Sequence, residues 1–287
     1  MNKIIIILSL FTLLFSACST NESSTNVDME IQNIPEMQDN ETTDHMSVIG
    51  TTNQFLSIVG SNEDILITSE DIEYRESTIG YLARPDDNKQ YPGIILIHEW
   101  WGLNDHIKEV ANTLAKEGYV VLAVDLYNGE VAQSSEEAMR LRTSINQSIA
   151  TQNMQDGIEY LKEFEGVNKV ASLGFCFGGE QSAQLSISDA NLDATVIFYG
   201  SLPQELEKIS QVDAPVLGIF GELDTGITPD TVRTFQSGLD ELNLENDITI
   251  YEGVGHAFLN PEGSRFAEEE TKDAWNKTIT FLANNLN

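Results

Sequence analysis

The chain has 287 residues, of which 41% are hydrophobic, enough to build a large buried core. Its 46 acidic against 15 basic residues give a formal net charge of −31. A surface so poor in Lys and Arg excludes nucleic acid as a partner, since phosphate binding draws on clustered cations, and the charge is read as serving solubility.

The first 18 residues read as an export signal. Lys3 supplies a positive charge, Ile4 to Phe15 is a nearly unbroken apolar run, and Ser16-Ala17-Cys18 ends it with small residues. The run is too short to span a bilayer, which takes about 18 or more apolar residues. Leu14-Phe15-Ser16-Ala17-Cys18 resembles a bacterial-type lipobox, with Phe15 where leucine is usual. That resemblance implies lipidation of Cys18, residues 1–17 as the signal peptide, and an exported chain whose only membrane contact is the lipid. An ordinary signal peptide cut nearby is the alternative. Residues 18–63 are rich in Asn, Ser, Thr, Asp and Glu and are expected to form a disordered acidic tether, although Phe55 to Val59 could instead dock on the domain.

The folded domain is expected over 64–287. Ile65 to Ile67 and Tyr74 to Leu82 read as an antiparallel opening pair. Ile94 to Ile97 is a continuous apolar run of the kind buried on both faces of a sheet, and it ends at His98-Glu99-Trp100-Trp101-Gly102. Asn104 is placed to cap a helix running to Glu117, closed by Gly118, before a second buried strand over Val120 to Val124. Helices are predicted over Ser134 to Ile149 and Thr151 to Phe164. The strand Val170 to Leu173 then leads into Gly174-Phe175-Cys176-Phe177-Gly178-Gly179 and a helix over Gly179 to Ile187. Strands over Ala194 to Tyr199 and Val216 to Phe220, a helix over Pro229 to Leu242, a strand over Ile248 to Tyr251 and a helix over Arg265 to Leu282 complete the chain. This alternation predicts an α/β fold, a mostly parallel sheet with helices on both faces. No internal repeat and no His/Cys cluster of metal-binding type is present in the sequence.

Four ionisable residues fall where strands are predicted to end: Glu99, Cys176, Asp224 and His256. Active groups in parallel sheets collect past the C-terminal strand ends. Gly174 to Gly179 has the form of a nucleophile elbow with cysteine in the usual place of serine, and a buried structural cysteine is the alternative reading. Cys176 has no intrachain partner if Cys18 carries lipid, and a lone thiol in an exported protein asks for a reason such as catalysis. A thiolate is the attacking form, so it needs an imidazole to take its proton, and the imidazole needs a carboxylate on its other nitrogen. His45 lies in the tether, and His98 and His106 precede the elbow, which leaves His256 to follow Cys176 and Asp224 in the order nucleophile, acid, histidine. Glu222 and Asp230 compete with Asp224 for the orienting role. The backbone N–H groups of Phe177 and Trp100 are the expected oxyanion donors, and Trp100, Trp101 and Phe258 are candidate substrate contacts.

The segments Ile97 to Asn104, Val124 to Tyr127, Gly174 to Gly179, Gly221 to Asp224 and Gly255 to Phe258 together resemble the dienelactone hydrolase family, the carboxymethylenebutenolidases, over about residues 70 to 285. The resemblance implies an α/β-hydrolase fold and a Cys176, Asp224 and His256 triad. It also implies that Glu99 contacts the resting thiol and helps deliver it as thiolate, with no metal or organic cofactor. The implied activity is cleavage of small esters or lactones through a thioacyl-enzyme, by a chain expected to be monomeric. Thioester or peptide cleavage on the same residues, or ligand binding by a non-catalytic surface lipoprotein, are the alternatives. Family members that act on dienelactone hold its carboxylate with arginines, one of them shortly after the catalytic histidine. Here that region reads Leu259-Asn260-Pro261, and Arg140 and Arg142 are the only arginines in the helical stretch before the elbow.

Overall fold

The structure is a computed structural model that describes residues 54–60 and 64–287, apart from Asp189. The expected signal peptide, the lipidation site Cys18 and most of the expected tether lie outside these residues. Eight strands form one sheet: β1 (Ile67–Arg75), β2 (Thr78–Pro85), β3 (Gly93–Ile97), β4 (Val120–Val124), β5 (Val170–Phe175), β6 (Ala194–Phe198), β7 (Val216–Gly221) and β8 (Asn246–Tyr251). They lie in the order β1-β2-β4-β3-β5-β6-β7-β8. The β1–β2 and β2–β4 pairs are antiparallel, and every pair from β4–β3 to β7–β8 is parallel. This is the strand arrangement of an α/β-hydrolase.

The continuous apolar runs behave as their composition requires. All five residues of β3, β4 and β6 and all six of β5 and β7 are buried, because helices cover both faces of the sheet. Ile94 and Leu96 face α1 (Gln54–Val59), α2 (Asp105–Lys116) and α8 (Glu268–Leu286). Ile95 and Ile97 alternate to the other side, under α3 (Ser135–Thr143) and α4 (Gln147–Lys162). That side continues under α5 (Phe177–Ser186), α6 (Leu206–Ile209) and α7 (Pro229–Glu241).

Several elements depart from expectation. The opening hairpin turns at Glu76-Ser77, inside the stretch read as one strand. No glycine or proline marks this turn, because Ser77 itself takes φ 59° and donates its N–H to Glu73 Oε1 at 3.0 Å. The break between α3 and α4 falls earlier than predicted, since the Asn146 side chain caps α4 by accepting the Ile149 N–H at 3.3 Å. The short α6 was not anticipated. The final helix starts at Glu268, where three consecutive glutamates suit the positive end of the helix dipole, and extends to Leu286.

The run from Phe55 to Val59, read either as tether or as docked on the domain, takes the second course. The domain was expected from residue 64, yet Phe55 on α1 is buried, with its ring edge-on to Trp275 at 5.1 Å and to His106 at 5.9 Å. Packing against α2 and α8 thus begins ten or so residues earlier, because one aromatic side chain on a short helix fills the gap between them.

Candidate active site

β5 is central in the sheet, and its C-terminal end turns directly into α5 at Cys176. The turn holds Cys176 at φ 53° and ψ −114°, a left-handed conformation that costs free energy outside glycine and persists only where the surroundings impose it. Two hydrogen bonds impose it here: Cys176 N–H donates to the Phe198 carbonyl at 3.0 Å, and its own carbonyl accepts the Glu180 N–H at 3.0 Å. The neighbouring glycines make the turn possible. A Cβ on Gly174 would collide with the Gly178 carbonyl, and one on Gly178 with the Ile97 carbonyl of β3.

His256, in the loop after β8, stands with Nε2 3.1 Å from Cys176 Sγ. Its Nδ1–H donates to Asp224 Oδ2 at 2.7 Å. Asp224, after β7, is buried and fixed through its other oxygen, which accepts the N–H groups of Gly226 at 2.8 Å and Ile227 at 2.9 Å. Burial works against its charge, but the hydrogen bond and charge of His256 and these two N–H donors prevail and hold its pKa below the ordinary carboxylate value. Burial likewise opposes protonation of His256, but its hydrogen bonds to Asp224 and Cys176 outweigh that and raise it to about 10. The imidazolium is therefore the favoured form of His256 at neutral pH. Of the competing carboxylates, Glu222 instead accepts the Gly253 N–H at 3.0 Å and Asp230 pairs with Arg233.

Glu99, just past β3, is buried, and desolvation pushes its pKa up to about 7 against the downward pull of the His256 charge. Among the described residues, no hydrogen-bond acceptor takes the N–H of Phe177 or of Trp100. Both remain available to an oxyanion, Phe177 at the N-terminus of α5 where the helix dipole favours negative charge. Trp100 and Trp101 are half-buried, with rings 5.0 Å apart and edge to face. Phe258 does not meet its expected role. It is fully buried in the core, with its ring 6.0 Å from Tyr199 and 5.3 Å from Tyr251, so no surface is left for a substrate.

Three residues that sequence reasoning did not place at the site belong to it. Tyr199, at φ 37° just past β6, lays its ring 5.2 Å from His256, and its hydroxyl is within electrostatic range of Glu99 and Cys176. Its position was legible only as a strand end, and the strand was read through it. His98, fully buried, accepts the Leu126 N–H on Nε2 at 3.1 Å, so the proton is on Nδ1 and donates to the Glu99 carbonyl at 2.6 Å. It ties the end of β4 to the loop that carries Glu99 and Trp100, as a neutral positioning group. Tyr127 packs between His98 and Phe177 at 4.7 and 5.6 Å. Among the described residues no group of three His, Cys, Asp or Glu side chains is arranged to hold a metal ion. No helix among them is long and apolar enough to cross a membrane.

Comparison with known proteins identifies the family. Residues 79–286 match the model of the dienelactone hydrolase family. A carboxymethylenebutenolidase homologue from Saccharolobus solfataricus is 32% identical over 245 residues, covering 70% of this chain and 92% of that protein. Protein usf of Aquifex pyrophilus is 34% identical over 218 residues, covering 71% and 91%. Among solved structures, a dienelactone hydrolase homologue from Klebsiella pneumoniae superposes with a TM-score of 0.68 over 76% of this chain and 99% of its own, at 24% identity, a likeness of fold.

Proposed function

The chain belongs to the dienelactone hydrolase family and is a hydrolase, and from that membership we propose that it cleaves small carboxylic esters or lactones with Cys176 as nucleophile. The observation that carries this reading is the unbroken chain from Cys176 Sγ through both nitrogens of His256 to Asp224. The resting Cys176 thiol gives its proton to Glu99, leaving a thiolate beside the His256 imidazolium. The thiolate attacks the carbonyl carbon, an Sγ–C bond forms, and the carbonyl π electrons move to oxygen, where the N–H groups of Phe177 and Trp100 stabilise the charge. Collapse breaks the bond to the leaving oxygen, which takes the proton from His256 Nε2 and departs as alcohol. His256 then removes a proton from water, the hydroxide attacks the thioacyl carbon, and the second tetrahedral intermediate expels the thiolate, releasing the acid.

Asp224 keeps the imidazole in the correct tautomer and balances its charge throughout. Glu99 accepts or returns the resting thiol proton, a role supported by its burial and its pKa near neutrality. Export and lipidation at Cys18 belong to the same proposal and rest on Lys3, the apolar run to Phe15 and Ser16-Ala17-Cys18. Cys176→Ala should abolish turnover of 4-nitrophenyl butyrate while preserving the melting midpoint. Retained turnover in a folded variant would overturn the assignment.

A further inference from the structure

Beside the nucleophile, on the side away from His256, lies a group of polar side chains that the reaction above does not use. Arg142, at the end of α3, donates Nη2–H to Glu180 Oε2 at 3.1 Å. Glu180 is in the first turn of α5, and its N–H binds the Cys176 carbonyl, so its side chain starts one helical turn from the nucleophile. The two side chains retain 30% and 27% of their exposure, which leaves the pair partly desolvated and reachable. Tyr127 is 4% exposed, and among the described residues its hydroxyl has no hydrogen-bond partner. That hydroxyl is within electrostatic range of Arg142, Glu180 and Cys176 together. A buried hydroxyl without a partner is costly, so a ligand oxygen or amide that engaged it would be favoured.

The sheet order decides which part of an ester would reach these groups. The leaving oxygen must face His256, which follows β8, whereas Tyr127 follows β4 on the opposite side of β5. The acyl group therefore extends toward Tyr127 and the ion pair. Arg142 is already neutralised there by Glu180. A substrate carboxylate would meet a second carboxylate and no unpaired cation, beside a pair only partly open to solvent. An uncharged amide, ester or hydroxyl group would instead find a hydroxyl donor and a carboxylate acceptor.

We propose that Tyr127, Arg142 and Glu180 form a charge-balanced acyl subsite that selects esters bearing an uncharged hydrogen-bonding group and rejects those bearing a carboxylate. The inference rests on the ester-hydrolase reading. Its test uses three 4-nitrophenyl esters of similar acyl length: the half-amide of adipic acid, adipic acid itself as its half-ester, and heptanoic acid. In the wild-type enzyme kcat/KM should be at least tenfold higher for the amide than for the carboxylate. Glu180→Gln frees the Arg142 charge and should shrink that ratio about tenfold, chiefly by improving the carboxylate substrate. Tyr127→Phe should lower kcat/KM about fivefold more for the amide than for the heptanoate. A wild-type ratio near one, or a folded Glu180→Gln enzyme with an unaltered ratio, would reduce the pair to a clip between α3 and α5 and overturn the proposal. If no ester of the three is turned over, the hydrolase reading fails instead.

Discussion

Cys176 and His256, 80 residues apart in the chain, meet at 3.1 Å between Sγ and Nε2, and that contact helps hold the imidazole in its protonated form. That contact has a consequence for stability. His256 holds its proton to about pH 10 in the folded protein against an ordinary 6.5, so its stabilising contribution is complete below pH 6.5 and is lost as pH rises toward 10. Glu99, raised from 4.5 to about 7, also keeps its proton longer when folded, and stability declines between those values too. Unfolding free energies from urea denaturation between pH 5 and 10 should therefore fall on both intervals, by on the order of a few kcal/mol across the upper one. His256→Asn should flatten the upper decline and Glu99→Gln the lower. Unchanged slopes in the variants would contradict these assignments.

The elbow is the most sterically demanding point of the fold. Gly174→Ala would drive a methyl group into the Gly178 carbonyl, where backbone rather than a movable side chain is the obstacle. The expected loss is about 3 kcal/mol or more, with activity lost as the turn opens. Gly253 makes the contrast, since its φ is 72° but a Cβ there meets nothing within 4 Å. Gly253→Ala should cost only about 1 kcal/mol, the backbone contribution alone. Equal losses at the two positions, read from chemical denaturation, would show that packing at the elbow is not the limiting factor.

Phe55 seats α1 on the body of the domain through Trp275 and His106. Phe55→Ala should release α1, shift Trp275 emission to the red and make the segment before β1 a site of proteolytic cleavage, while ester turnover is retained. Unaltered fluorescence and protease resistance would mean that α1 is held by other contacts.

The parts of this molecule that were legible in the sequence share a physical reason. Five-residue apolar runs such as Ile94 to Ile97 with their neighbours have no fate but a doubly covered sheet, and glycines flanking Cys176 signal close backbone approach. Glu99, Cys176, Asp224 and His256 could be picked out because strand ends can be located from such runs; the structure links Cys176, His256 and Asp224 by hydrogen bonds and sets Glu99 within electrostatic range of His256. What was missed depends on tertiary contact. Whether Phe258 faces substrate or core turns on Tyr199 and Tyr251, which are remote in sequence or hidden by strand pairing. The Arg142–Glu180 pair joins residues 38 apart on separate helices, and no local pattern announces it. The Ser77 turn lacks the usual residues because a single hydrogen bond from the Ser77 N–H to the Glu73 carboxylate replaces their conformational preference.

The central claim is that an acyl group passes through Cys176. Brief exposure of the enzyme to 4-nitrophenyl butyrate at low pH, followed by intact-mass and peptide mass spectrometry, tests it directly. The account predicts an adduct of one butyryl group on the peptide carrying Cys176, absent from Cys176→Ala and accumulating further in His256→Asn wherever acylation survives. An adduct on another residue, or rapid turnover by the Cys176→Ala enzyme, would contradict it.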